Sequence, residues 1–154
     1  MLSPEIANVP LNFLVPPKSM GFFLEFDEAN NTVRLTFEGK VTAADIGGDA
    51  YAALQAFVST RSPCKGIADF SKVTIVEAPN QLIQDRARAP AALPGGLPFV
   101  FVAPQDHLFG LSRMFTTLAE TTRPHLKVVR AMSEAYNLLG VDSPNFVRVK
   151  NDRT

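Results

Sequence analysis

The chain of 154 residues has one cysteine, no tryptophan, no net charge and no long apolar run. Because Cys64 is alone, an internal disulfide is excluded, which favours a reducing compartment. The 15 basic and 15 acidic residues cancel, so nucleic-acid binding is not supported. No stretch approaches the ~18 consecutive apolar residues of a membrane span. We therefore expect a cytoplasmic protein that is not integral to a membrane.

Proline content and periodicity divide the chain into three parts. Residues 1–20 contain four prolines, and because proline cannot donate to a strand ladder, this part is predicted to be an N-terminal arm. Its apolar residues at 11–15 predict that the arm docks on the body of the protein. Residues 21–140 carry the strand and helix patterns of a single α/β domain, and residues 141–154 are predicted to be a polar C-terminal tail.

The first elements predicted in the domain are a β-hairpin and a helix. Apolar and polar residues alternate over 22–27 and 33–38, on either side of an asparagine-containing turn, which is typical of two antiparallel strands. Gly39 is expected to end the second strand. Thr42, followed three residues later by Asp45, is a variant of the capping box and predicts that a helix begins there.

Strands then alternate with helices to the end of the domain. This alternation predicts βαβ units, a mostly parallel sheet and right-handed crossovers. The predicted strands are 65–71, 98–103 and 126–130, and the predicted helices are 79–89, 106–122 and 133–139, the last ended by Gly140 as a C-cap.

Four segments carry a resemblance to a known family: K-G-I-A-D-F-S-K-V-T-I-V-E-A-P-N (65–80), V-A-P-Q-D-H-L-F-G-L-S-R-M-F (102–115), R-P-H-L-K-V-V-R (123–130) and S-E-A-Y-N-L-L-G (133–140). The first resembles the regulatory segment of STAS domains, and the other three resemble a bacterial STAS-like group described as SpoIIAA-like. The resemblance covers the region 21–140. It implies a βα superhelix, in which an N-terminal β-hairpin is followed by alternating helices and mostly parallel strands, with the helices largely on one face. It implies no established enzymatic activity.

The phospho-regulated STAS domains carry a serine at the start of one helix, and this chain departs from them there. Glu77, Ala78 and Pro79 stand at the equivalent place, so no hydroxyl is present to be phosphorylated. Ser71 and Thr74 are the nearby hydroxyls. A negative charge near a helix N-terminus is favoured by roughly 0.3–1 kcal/mol. We interpret Glu77 as such a helix-start acid rather than as a mimic of phosphoserine.

Ligands of parallel α/β sheets gather at the carboxyl ends of the strands. The polar residues that follow the predicted strands, or lie on the adjoining helices, are therefore the candidates for a ligand or partner surface. These candidates are Asp69, Ser71, Glu77, Asp106, His107, Arg113 and Arg130.

A hydrolase built from Ser71, His107 and one of the two neighbouring aspartates is the catalytic alternative. The chain has no G-x-S-x-G nucleophile elbow, and Asp106 is better explained as the N-cap of its helix, so we assign no catalytic residue. His107, His125 and Cys64 lack the spacing of metal ligands, and no phosphate-binding loop is present. No metal or cofactor is expected.

The predicted strand 98–103 is apolar on both faces. If the helices cover only one face, as the resemblance implies, the other needs a different cover. The candidates, in order of preference, are the N-terminal arm, a second copy of the chain, and an apolar ligand such as a lipid. The twelve phenylalanines of the chain would give such a ligand an oily lining.

The function favoured by these observations is that of a non-catalytic, STAS-like regulatory module that acts through an unidentified protein partner, with a homodimer as one candidate assembly. The alternative is a carrier or sensor of a small apolar or lipid ligand. A hydrolase is the third reading. Because fold does not fix function, the choice among them depends on the site.

Overall fold

Three parallel and two antiparallel pairings join six strands into one mixed sheet. The computed structural model describes residues 21–93 and 96–150, so the arm predicted for residues 1–20 lies outside the described residues. The strands are β1 (Phe22–Asp27), β2 (Thr32–Thr42), β3 (Lys65–Glu77), β4 (Phe99–Val102), β5 (Leu126–Val129) and β6 (Val147–Arg148). The helices are α1 (Ala50–Val58), α2 (Asn80–Arg88), α3 (Asp106–Leu118) and α4 (Met132–Leu139).

The predicted hairpin and the predicted parallel strands are confirmed, and the fold is α/β. The strand order is β5-β4-β3-β2-β1-β6. β1 pairs antiparallel with β2, whereas β2, β3, β4 and β5 pair in parallel. Phe22 lies opposite Phe37 and Leu24 opposite Leu35, so the alternating apolar residues of the hairpin share one buried face.

β2 and β3 are longer than predicted, and two predicted strand ends were wrong. Gly39 does not end β2: its φ of +63° accompanies a bulge in the pairing with β3, and the strand continues to Thr42. β3 does not end at Ser71 but continues to Glu77, which lies opposite Thr42. Each extension supplies the backbone hydrogen-bond partners of the other, and the four β-branched residues at 73–76 favour a strand in their own right.

Thr42 and Asp45 bond each other reciprocally, as predicted. The Thr42 N–H donates to Asp45 Oδ2 at 2.8 Å, and the Asp45 N–H donates to Thr42 Oγ1 at 3.3 Å. The continuous helix expected after them is interrupted, because the backbone leaves helical geometry at Gly48 within a π-helical turn, and α1 begins only at Ala50. Glycine is a poorer helix former than alanine by about 1 kcal/mol, which explains why the break falls there.

Helices lie on both faces of the sheet. Ala135 and Leu139 of α4 pack on Ile67, Val100 and Val102 of one face. The other three helices lie over the opposite face. The expectation that the second face of the predicted strand 98–103 needs an arm, a second copy or a ligand was therefore wrong. The apolar stripe of α4 covers it.

The chain after α4 is held against the hairpin. β6 pairs antiparallel with β1, and the ring of Phe146 stacks on Tyr136 of α4 with centroids 6.2 Å apart. The buried carboxylate of Asp27 accepts hydrogen bonds from the N–H of Asn145 at 2.9 Å and from Nδ2 of Asn30 at 2.7 Å. The hairpin turn thus fixes the segment that leads into β6.

Candidate apolar binding cavity

A cavity of about 730 Å³ lies between the sheet and the helices α1, α2 and α3. Its size falls within the roughly 300–1,000 Å³ typical of small-molecule sites. The floor is the sheet face that α4 does not cover, and the walls are the three helices and the segments 90–93 and 96–97. The floor residues are Leu35, Phe37, Ala68, Phe70, Phe99 and Phe101.

A small residue of β3 contributes to this hollow. Ala68 lies between Leu35 of β2 and Phe101 of β4 in one row across the sheet. Because strand side chains alternate between the two faces, its methyl group points at the helices and offers them little volume. Gly66 lies two residues earlier on the same face, but Phe99 and Leu93 already fill the space above it. The hollow therefore lies over Ala68, which lines it.

Phenylalanine rings form a continuous row along the floor and up to α3. Phe37, Phe70, Phe101 and Phe115 follow one another with centroid separations of 5.2, 5.3 and 5.3 Å. Rings at such distances attract one another in tilted or edge-on arrangements. The row gives the cavity an apolar surface whose shape is fixed by ring packing.

The polar part of the lining contains two arginines. The guanidinium carbon of Arg86 lies 4.6 Å from the ring centroid of Tyr51, and that of Arg123 lies 5.2 Å from the centroid of Phe115. Among the described lining residues there is no aspartate or glutamate. The remaining side chains of the lining with polar groups are Tyr51, Ser112, Thr122 and His125.

Arg123 also holds the end of α2. Its Nη1 donates to the carbonyls of Ala87 and Ala89, both at 2.9 Å, and the hydroxyl of Thr122 donates to the Ala87 carbonyl at 2.8 Å. Burial lowers the pKa of Arg123, and the positive charge of Arg86 nearby lowers it further. The hydrogen-bond partners of Arg123 are backbone carbonyls and the Thr122 hydroxyl rather than carboxylates.

No model of a known protein family matches this chain, and no curated protein matches it either. The site must therefore be interpreted from its own geometry and chemistry. The resemblance to STAS domains stays an expectation from the sequence.

The residues expected to form a surface at the strand ends are not among those that line the cavity. Asp69 is buried, and its Oδ1 accepts a hydrogen bond from the Ser71 N–H at 2.9 Å. Glu77 lies at the end of β3, where its carboxylate is 3.6 Å from Nζ of Lys40. The interpretation of Glu77 as a helix-start acid was wrong, because α2 begins at Asn80 and has no acid in its first turn.

The other expected residues lie at the start of α3 and just beyond β5. Asp106 was predicted to be the N-cap of this helix. It is instead the first residue of α3, and the N-cap is Gln105. The Asp106 carboxylate is 2.7 Å from Nη1 of Arg130, whereas His107 and Arg113 are exposed on α3. In the part of the chain that the structure describes, no hydrogen bond joins His107 to the serine of the hydrolase alternative.

Over residues 21–93 and 96–150, no three side chains of histidine, cysteine, aspartate or glutamate come together in a way that could hold a metal ion. Over the same ranges, no helix is both long and apolar enough to cross a bilayer.

Sequence reasoning placed neither arginine in the site. Arg86 follows the buried Ile83 by three positions on α2, a spacing that places it beside the buried face of the helix and could have indicated its position. Arg123 lies in the connection between α3 and β5 and belongs to no periodic pattern. Its place in the cavity depends on how α3 packs against α2, which no local signal reports.

Proposed function

We propose that this protein is a non-catalytic binding module that carries or senses a small apolar molecule in the cavity under α1, α2 and α3. The observation that carries the proposal is the cavity itself, with its volume of about 730 Å³ and its floor of aliphatic and aromatic side chains. Burial of apolar surface stabilises a complex by roughly 25 cal/mol per Å² before the costs of association. The sequence alone ranked this function second, and the cavity now favours it over the first.

We also propose that the domain is STAS-like. What supports this assignment is the order of elements: an antiparallel hairpin, followed by parallel strands with a helix between each successive pair. One feature differs from the expectation. The resemblance implies helices largely on one face of the sheet, whereas α4 packs on the opposite face from the other three helices.

A protein-interaction role, the first expectation from the sequence, has a weaker basis. In the described part of the chain, the exposed large apolar side chains are Ile75, Leu97, Leu138 and Val147, which belong to four different segments. Single exposed apolar residues are normal on a protein surface. A protein partner and a homodimer therefore stay predictions, and native mass spectrometry of the purified protein tests the homodimer.

Calorimetric titration with 1-decanol, a neutral apolar probe, tests the proposed function. We expect saturable binding of one molecule per chain and a melting temperature that rises with probe concentration, because a ligand that binds only the folded state stabilises it. Native mass spectra of the purified protein would show extra mass, lost on denaturation, if a hydrophobic molecule co-purifies.

Substitutions of two alanines test whether 1-decanol binds in the cavity. Ala68→Phe places a ring on the cavity floor and is expected to abolish binding of 1-decanol. Ala56→Phe adds the same ring at an exposed position of α1 and should leave binding unchanged. Because overpacking costs about 1–3 kcal/mol, the milder Ala68→Leu provides a second variant that should weaken binding.

Two results would overturn the proposed function. One is the absence of 1-decanol binding to the wild-type protein up to the solubility limit of the probe. The other is unchanged binding in Ala68→Phe when that variant unfolds as cooperatively as the wild type.

A further inference from the structure

The ionised side chains of the cavity lining carry a single sign. Arg86 and Arg123 are charged at neutral pH, and the described lining contains no carboxylate. Among the described residues, neither arginine takes part in an ion pair. The chain as a whole has no net charge, so this local excess does not follow from a basic composition. Both side chains are half-buried, and a charge that has lost part of its water is stabilised by an opposite charge nearby.

Contacts with neighbouring groups also hold both arginine side chains in place. The guanidinium of Arg86 stacks on Tyr51 at 4.6 Å, and Arg123 is tied to two carbonyls at the end of α2, both at 2.9 Å. Within the described residues the guanidinium of Arg86 donates no hydrogen bond of its own. Its planar set of N–H donors is therefore available to an acceptor in the cavity.

We propose that the molecule held in this cavity is an amphipathic organic anion, a monocarboxylate with an aliphatic or aromatic tail, whose head group lies by Arg86 and Arg123. The tail lies over the row of phenylalanine rings. This inference rests on the proposed function, because it specifies the ligand of the same cavity.

The two kinds of lining, charged and apolar, fit the two parts of such a molecule. A guanidinium presents paired N–H donors that match the two oxygens of a carboxylate, and hydrogen bonds between ionised partners are the stronger kind. The row of phenylalanine rings, which includes Phe70 and Phe101 of the floor and Phe115 of α3, offers an apolar tail a matching surface, and a second charge on the ligand would lie there without a partner. A single acidic head with an uncharged tail is therefore the complement of the whole lining.

Calorimetric titrations with three probes of equal chain length test this inference. The probes are decanoate, 1-decanol and decyltrimethylammonium, which differ in the charge of the head group. We expect decanoate to bind about tenfold or more tightly than 1-decanol, the gain of a charge-assisted contact. Decyltrimethylammonium should bind more weakly than either.

Substitution of the arginines tests whether they cause the preference for decanoate over 1-decanol. Arg86→Gln should reduce decanoate affinity by about tenfold and leave 1-decanol affinity unchanged. Arg88→Gln, an exposed position on the same helix, is the matched control and should change neither. Since Arg123 also holds the end of α2, Arg123→Gln is informative only if its thermal unfolding stays cooperative, and Arg86→Gln carries the test.

The outcomes separate the two proposals. If 1-decanol binds and decanoate binds no better, or if the decanoate preference survives in Arg86→Gln, the anion inference is wrong while the apolar carrier stands. If none of the three probes binds, both proposals fail. Decanoate preference that disappears in Arg86→Gln supports both.

Discussion

The ring of Phe99 occupies the space that a Cβ at Gly66 would need, and such a Cβ would also lie 2.8 Å from Cδ1 of Leu93. Both neighbours line the cavity. Gly66→Ala should therefore push Phe99 and Leu93 into the cavity and destabilise the protein by about 1–3 kcal/mol. Urea denaturation monitored by circular dichroism measures this change.

A second glycine gives the matched control for this substitution. A Cβ at Gly110 of α3 would meet no atom within 4 Å, and alanine is the better helix former, so Gly110→Ala should stabilise the protein by about 0.5–1 kcal/mol. Opposite signs for the two variants are expected. Equal effects would contradict the close packing of Phe99 on Gly66.

The carboxylate of Asp27 should make the protein acid-sensitive. Burial raises the pKa of Asp27, but hydrogen bonds from the Asn145 N–H and from the side chain and N–H of Asn30 outweigh burial and hold the pKa below its usual range. A lowered folded pKa means that the stabilisation is present above the ordinary carboxyl pKa of about 3.9 and is lost as the pH falls through the folded value.

Asp27→Asn should remove this part of the pH dependence and cost about 1–3 kcal/mol at neutral pH. Asp142→Asn is the control, because Asp142 contacts Asn30 through its backbone N–H and carbonyl. The free energy of unfolding measured from pH 7 down to pH 3 decides the point. A wild-type slope that persists unchanged in Asp27→Asn would refute the assignment.

The single thiol of the chain should be slow to react while the protein is folded. Cys64 is 2% exposed, and burial raises the pKa of its thiol, so little thiolate reaches a reagent. We expect labelling by 5,5′-dithiobis(2-nitrobenzoate) to follow the opening of the structure and to become fast in denaturing urea. Immediate stoichiometric labelling of the native protein would contradict this, and Cys64→Ser supplies the blank.

The ion pair of Asp106 and Arg130 should contribute little to stability. Its two atoms lie 2.7 Å apart, but the Asp106 side chain is 94% exposed and that of Arg130 is 47% exposed. Exposed pairs usually contribute about 0.2–1 kcal/mol. A double-mutant cycle with Asp106→Asn and Arg130→Gln should return a coupling in that range that shrinks in high salt. A larger, salt-insensitive coupling would point to a buried network at this end of the sheet.

Much of the fold was accessible from local patterns. The alternation around Asn30 and Asn31 predicts the hairpin, and Gly140, which adopts a φ of +68°, marks the end of α4. These features depend on residues close together in the chain. The extension of β3 beyond Ser71 depends on both kinds of information, because the β-branched residues at 73–76 favour a strand locally while its partner is the distant extension of β2.

The cavity was beyond local patterns for the same reason. Ala68 is a small residue of β3, which the sequence shows, but the hollow over it depends on how Phe99 and Phe101 of the neighbouring strand pack. Apolar alternation identifies which residues turn inward. It does not report whether their summed volumes fill the space beneath the helices, since that is a property of packing between distant segments.

The longest strands of the sheet lie in its interior, and both described edges are short. β5 has four residues and includes the exposed Lys127, and β6 has two residues that cover part of β1. Exposed strand edges recruit other chains, and brief or charged edges prevent this. The two outer strands of the described sheet therefore give an approaching strand little backbone to pair with.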